Sequence, residues 1–401
     1  MTDAISVDDA VTMILDHCPD RGSERIPLDQ AAGRILAAPV TARITQPPLP
    51  VSAMDGYAVR RSDVAGGEAV LRLIGEAPAG RPFEQSLGPG DCVRIFTGGA
   101  LPDGADCVVI QERVSRDDDT VRVPEQETGP SHVRKAGIDF AAGDTLISQG
   151  TRLEAPHVAI AAAANHANVT VQKRLQVAFL ANGDELRPPG HDLSPGQIVA
   201  SSHYALASLV QSWGDSYRDL GIAPDRADEI RTHITQASDA DVIVPIGGAS
   251  VGEHDHMKAA FDALGFQMIF SRVAVRPGKP TWFAQKEHQL VLGLPGNPAS
   301  SLVCAHLFLR PLLTRQQLPT ATAITGTALS ENGPRRSFLR ANARIDSKGL
   351  VNVFPSRNQD SSLLRPFLLA NALIDRAPNA SACDEGTEVT IRILGEINDN
   401  K

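Results

Sequence analysis

Aromatic residues are scarce, at 4% of 401 positions, so the core must be built mainly from Val, Ile, Leu and Ala. A run of about 18 apolar residues is also missing, and a helix that spans a bilayer needs about that many. Met1 to Asp9 carries acids and no apolar h-region, so no secretory signal is read and a cytoplasmic location is expected. The five cysteines (Cys18, Cys92, Cys107, Cys304 and Cys383) are scattered and odd in number. That excludes a disulfide framework and metal-knuckle spacing, and free thiols in a reducing compartment are expected. Basic excess is missing too: 38 Lys and Arg against 47 Asp and Glu give a formal charge of −9. A general binder of nucleic acid or membrane surface would need the opposite balance. No Walker A sequence is present and no G-x-G-x-x-G opens a helix, which argues against a P-loop nucleotide hydrolase or a nicotinamide dehydrogenase.

What is present fits a globular chain, with 42% hydrophobic and 21% charged residues. At roughly 150 residues per domain, the length suggests two to four domains. The 33 Gly and 28 Pro point to many turns. Ser6, followed by Asp9 and the stripe Ala10, Val11, Ile14 and Leu15, predicts a capped helix over residues 6–18. Prolines 47, 48 and 50 force the next stretch to be extended. From Val51 to about Lys135, short β-like runs separated by Gly, Pro and Asp turns predict a small, mostly β module. From Leu175 the pattern changes. Strand-like runs at 177–180, 241–246 and 290–294 alternate with helix candidates at 202–213, 226–238, 255–264 and 298–313. This predicts a doubly wound, parallel α/β sheet between about 173 and 315. Past Pro319 the texture is β again, interrupted by a helix candidate over Leu363 to Ala377 that Pro366 opposes.

Ligands of open α/β sheets bind beyond the carboxyl ends of the strands. Three such ends stand out: Asn182-Gly183-Asp184-Glu185, the loop Gly247 to Asp255, and Pro295-Gly296-Asn297-Pro298. Glycines allow close backbone approach and helix starts favour anions. Nearby acids (Asp241, Glu253, Asp255) imply a divalent cation if a phosphate sits there. Ser271 to Lys286 carries four basic residues and no acid, and an extended Val273–Arg276 would put Arg272 and Arg276 on one side. Tight strand–helix turns, a polar turn, a helix cap and a solvated basic strand are the plain alternatives. Together the four segments favour an anionic, nucleotide-like or polyphosphorylated ligand.

As a set, these residues resemble the molybdopterin molybdenumtransferase family, the MoeA proteins and the E domain of gephyrin. Ser52-Ala53-Met54-Asp55-Gly56-Tyr57-Ala58 is similar to S-x-M-D-G-Y-A, and Ile95 to Asp106 to I-x-T-G-A-x-x-P-x-G-A-D. Arg134 to Asp139, Gly247 to Asp255, Pro277-Gly278-Lys279-Pro280, Leu294 to Pro298, and Gln359-Asp360-Ser361 with Ala370-Asn371 continue the likeness over more than 300 residues.

The resemblance implies a multidomain α/β plus β homodimer. Its expected parts are a discontinuous linking domain (1–44 and 136–172), a β-rich inserted domain (45–135), an α/β molybdopterin-binding domain (173–316) and a C-terminal β-barrel (317–401). It implies a cytoplasmic transferase of molybdenum cofactor biosynthesis that works with other proteins of that route. The implied reaction is Mg²⁺-dependent insertion of molybdate into adenylylated molybdopterin, with release of AMP.

The roles implied are as follows. Gly247, Gly248 and Ser250, with Pro295, Gly296 and Asn297, would hold the substrate. Asp241 and Asp255, with Glu185, would coordinate Mg²⁺. Arg272, Arg276, Lys279, Arg340 and Ser361 would bind molybdate, guanidinium forks being suited to oxyanions. Asp55, Thr97 and Asp139 would come from the partner subunit. The chain departs from the pattern at Ala181-Asn182, where Ser or Thr is usual, at Ser201-Ser202-His203, and in Arg272 and Arg276, where lysines are common. A catalytically altered paralogue serving as a dimeric scaffold is therefore an alternative. A pterin-adenylylating nucleotidyltransferase is a weaker one, because it would need only the central domain.

Overall fold

The computed structural model describes residues 4–124, 131–248 and 256–399, and the chain forms two compact units. The larger unit comprises Met1–Arg21 and Arg174–Lys401, the smaller Gly22–Lys173. Helix α1 (Val7–Asp16) starts as its sequence predicts, with the Ser6 hydroxyl oxygen accepting from the Asp9 N–H at 3.0 Å. Its buried Val7, Ala10, Val11 and Ile14 share a core with Leu307, Phe308 and Leu312. Ile5 also forms a parallel bridge with Val273. Residues 4–21 thus pack with the α/β part in the larger unit, because the apolar stripe of α1 is buried in its core.

The α/β part runs through β1 (Gln176–Asn182), α2 (Ser202–Trp213), β2 (Ser216–Ala223), α3 (Ala227–Thr235) and β3 (Val242–Ile246). It continues with α4 (His256–Ala263), β4 (Gln267–Phe270), β5 (Trp282–Lys286), β6 (Gln289–Gly293) and α5 (Pro298–Cys304). The sheet order is β2-β1-β3-β6-β5-β4. The first four strands are parallel. β5 pairs antiparallel with both β6 and β4, so the sheet is mixed rather than wholly parallel. The β5–β6 turn is Glu287-His288, with Glu287 at φ 52°. No glycine or asparagine marks this hairpin, which is why the sequence pattern misses it.

The C-terminal part contains β7 (Thr320–Thr325), β8 (Arg336–Ile345), β9 (Val351–Pro355), β10 (Ala372–Arg376) and β11 (Glu388–Ile393). They close as β8-β9-β7-β11-β10-β8, the expected barrel. Small side chains fill it, among them Ala323, Ala341, Ala343 and Val353. The helix expected over Leu363 to Ala377 does not form. A 3₁₀ turn, Arg365–Leu368, gives way to β10, because Pro366 has no N–H to donate and Ala372, Leu373 and Ile374 are buried in strand pairing. Val275–Arg276 pairs in parallel with Arg336 and Ser337 at the start of β8, which joins the basic segment to the barrel.

In the smaller unit the mostly β module is present as a six-stranded sheet. It includes Gly56–Val59, Ala69–Ala77, Asp91–Ile95 and Cys107–Ile110. The flanking pieces of chain pair with each other: Ser23–Pro27 with Asn168–Gln172, and Val40–Thr41 with Thr145–Ile147.

Candidate active site

The carboxyl ends of β1, β3 and β6 converge. Gly247 and Gly248 follow β3 at φ 95° and 65°, a region that disfavours any side chain. A Cβ on Gly247 would press the Asn182 carbonyl oxygen at 2.7 Å, and one on Gly296 would lie 3.2 Å from the Gly247 Cα. Only backbone lets these loops approach so closely. They line a cleft of about 1070 Å³ together with Asn182, Glu185, Asp225 and His203. That is at the top of the range for small-molecule sites, ~300–1,000 Å³. The expected residues Gly247, Gly248, Glu185, Pro295, Gly296 and Asn297 meet here. Ser250 and Asp255 lie outside the described residues.

A second, basic pocket of about 390 Å³ adjoins the cleft and shares Pro280, Pro295 and Asn297 with it. Arg276, Lys279 and Arg335 line it, with Ser361 and Asp360. The Asp360 carboxylate accepts from the Ser362 hydroxyl at 2.7 Å and its N–H at 2.8 Å, which holds its pKa below the usual carboxylate value. The Ser361 hydroxyl accepts from the Asn297 amide at 3.0 Å, and its carbonyl accepts from the Ala299 N–H at 3.0 Å. Asn297 precedes α5 as expected, but its side chain makes no cap bond and reaches the barrel loop instead. Under the Pro277–Pro280 turn, Gly278 (φ 117°) packs on the Cys304 sulfur, and a Cβ there would collide with it. Burial pushes the Cys304 thiol up to about 12, so it is inert packing that supports the turn.

Three site expectations need correction. Asp241 stands at the amino end of β3, where its carboxylate accepts from the Gln176 N–H at 2.8 Å. The strand's five residues at ~3.3 Å each separate it from Gly247, so it does not share a site with that loop.

Arg340 is buried, with 1% exposure. Its guanidinium donates to the carbonyls of Leu363 (2.7 Å), Asp360 (2.9 Å) and Asn358 (3.4 Å), so it pins the loop that carries Ser361 rather than facing the pocket.

Arg272 does not line the pocket with Arg276. The Val275 N–H donates to the Val273 carbonyl at 2.8 Å, a tight turn that breaks the alternation that would have aligned the two arginines.

The sequence reading missed Arg335, the third cation of the pocket. The Arg335-Arg336 pair ahead of a strand was the available signal. Arg336 is taken by Asp375 (2.8 Å) and Asp8 (2.7 Å). It also missed His203, which is 7% exposed and lines the cleft with its Nε2 3.4 Å from Asp219.

In the smaller unit, Asp55 and Thr97 are brought together. One Asp55 carboxylate oxygen accepts from the Thr97 N–H at 2.7 Å and its hydroxyl at 2.8 Å. These bonds, the N–H first, hold the Asp55 pKa below the usual carboxylate value. Asp139 is exposed, and its N–H donates to the Gln46 carbonyl at 3.2 Å.

Family models match the chain in order. The MoeA N-terminal region (domains I and II) covers residues 5–165, a probable molybdopterin binding domain 178–315, and the MoeA C-terminal region (domain IV) 322–394. A Haemophilus influenzae protein named molybdopterin molybdenumtransferase is 33% identical over 397 residues, spanning 96% of this chain and 98% of that protein. The chain belongs to the MoeA family. A Nostoc protein of the same name is 37% identical over 322 residues, 77% of this chain and 74% of that protein. The crystal structure of a molybdopterin biosynthesis MoeA protein from Pyrococcus horikosii superposes with a TM-score of 0.86 at 28% identity, covering 98% of this chain and all of that one. Among the described residues, no helix of this MoeA protein is long and apolar enough to cross a membrane.

Proposed function

We propose that this MoeA protein is a molybdopterin molybdenumtransferase that inserts molybdate into adenylylated molybdopterin and releases AMP. The observation that carries this reading is the adjacency of two unlike sites. A large glycine-walled cleft and a pocket lined by three cations share Pro280, Pro295 and Asn297. The cleft suits the pterin nucleotide, with its phosphates against the Gly247-Gly248 backbone. The basic pocket suits a tetrahedral oxyanion, held by Arg276, Lys279 and Arg335 in charge-assisted bonds. The shared wall would put the oxyanion beside the pterin side chain, so that binding supplies proximity.

Among the described residues, no three His, Cys, Asp or Glu side chains are placed to hold a metal ion. Mg²⁺ needs no such cage, since one or two carboxylates plus substrate phosphates commonly hold it. Glu185 and Asp225 on the cleft wall fit that pattern, and Asp255 would join them. When bound, the ion neutralises charge on the pyrophosphate. The proposal includes a homodimer in which Asp55, Thr97 and Asp139 of one subunit serve the cleft of its partner.

Supplying this gene to a strain that lacks molybdenumtransferase should restore nitrate reductase activity. A folded, abundant protein that gives no rescue would overturn the proposal and favour a scaffold.

A further inference from the structure

The order of the sheet gives the cleft two ends. β3, which leads into Gly247-Gly248, lies between β1 and β6. The loop after β6 carries Pro295 and Asn297, which the cleft shares with the basic pocket. The segment after β1 builds the opposite end. There Leu186–Arg187 and Ile198–Val199 pair in parallel as two short strands. The Ile198 N–H donates to the Glu185 carbonyl and the Ala200 N–H to the Arg187 carbonyl, both at 2.9 Å, so main-chain bonds hold this wall in place. The side chains of Leu186, Ile198 and Val199 line the cleft. Ile198 is 54% exposed and Val199 39%, too much for either to serve the core. Two adjacent β-branched side chains on a cleft wall present apolar surface whose removal from water is favourable.

We infer that the wall formed by Leu186, Ile198 and Val199 seats the adenine base of the adenylylated substrate. The inference rests on the substrate reading of the cleft, and it gives the bound molecule a direction. Molybdate held in the basic pocket must reach the pterin half, so that half lies on the β6 side. The phosphates lie against Gly247 and Gly248, at the end of the strand between. The nucleoside is joined to the far side of the phosphates, and the β1 side is the end left for it. A purine presents flat π-faces, which suit uncharged aliphatic side chains. Contact through a face does not read the base edge. This wall therefore distinguishes a nucleotide from a bare sugar phosphate rather than one purine from another.

The test measures binding of AMP, ribose 5-phosphate and 6-hydroxymethylpterin, each alone, to the wild type and to Ile198→Ala/Val199→Ala. AMP should bind the wild type about 10-fold more tightly than ribose 5-phosphate, as expected when a few methyl and methylene groups are covered. In the double variant only Leu186 remains, and that advantage should fall to about 2-fold. Affinities for ribose 5-phosphate and the pterin should not change. Ile198→Thr/Val199→Thr keeps the branched shape that suits strand pairing while removing apolar surface, and it serves if the alanine variant does not fold. An AMP advantage that survives in the folded variant overturns the inference, as does its absence in the wild type. A fall in pterin affinity with AMP unchanged also overturns it, as does a fall shared equally by all three probes. Failure of the wild type to bind any of the three instead overturns the substrate reading of the cleft.

Discussion

Lys279→Ala and Arg335→Ala should each raise the KM for molybdate by about 10- to 100-fold and leave the unfolding temperature nearly unchanged. A hydrogen bond to a charged group contributes about 1.5–3 kcal/mol, which corresponds to that range of affinity. Lys279 is exposed and Arg335 half-buried, so neither is needed for packing. The only hydrogen bond from Arg335 among the described residues is a long one, 3.4 Å, to the Val275 carbonyl. Replacing both should exceed either single effect, because the two cations would hold one ion. Arg335→Lys should recover only part of the loss, since an ammonium lacks the planar fork. Steady-state kinetics with varied molybdate at saturating adenylylated molybdopterin reads this directly. A change confined to kcat would place these residues outside oxyanion binding.

Arg340→Ala should do the reverse. It should destabilise the larger unit by roughly 3 kcal/mol or more, because a fully buried side chain is removed and the loop carbonyls lose the donor that ties them to the barrel. For a unit of this size that corresponds to a fall in Tm of about 6–12 °C. The carbonyls of Leu363, Asp360 and Asn358 lose their shared donor, and the loop bearing Ser361 loses its anchor. Because Asn297 and Ala299 also bond Ser361, the pocket should survive in the fraction that stays folded. Thermal unfolding of the variant, alongside its molybdate KM below the transition, separates the two roles. A stable protein with a large KM effect would return Arg340 to the oxyanion site.

The sequence made the glycine ends and the barrel motifs readable because each is a backbone requirement. Gly247, Gly248 and Gly296 meet where no side chain fits, and such positions tolerate little else. Side-chain assignments were less legible where their meaning depends on partners distant in the chain. Asp241 lies six residues before Gly247, yet a strand separates them and puts them at opposite ends of β3. Arg272 and Arg276 would align only in an unbroken strand, and the bond between Val275 and Val273 breaks it. Of the neighbouring Arg335 and Arg336, the second is taken by Asp375 and Asp8, and neither acid is near it in sequence. The orientation of the Asn182 amide depends on Ala223 and Pro224 in the same way. The net charge of −9 misled only about bulk surface, since three cations still collect around one small pocket.

The most direct test of the two-site account is AMP release from adenylylated molybdopterin by the purified protein as molybdate is varied. The account predicts saturable, molybdate-dependent release, with the half-saturating concentration shifted upward in Lys279→Ala/Arg335→Ala. Release that is independent of molybdate, or equally responsive to it in that variant, would contradict it.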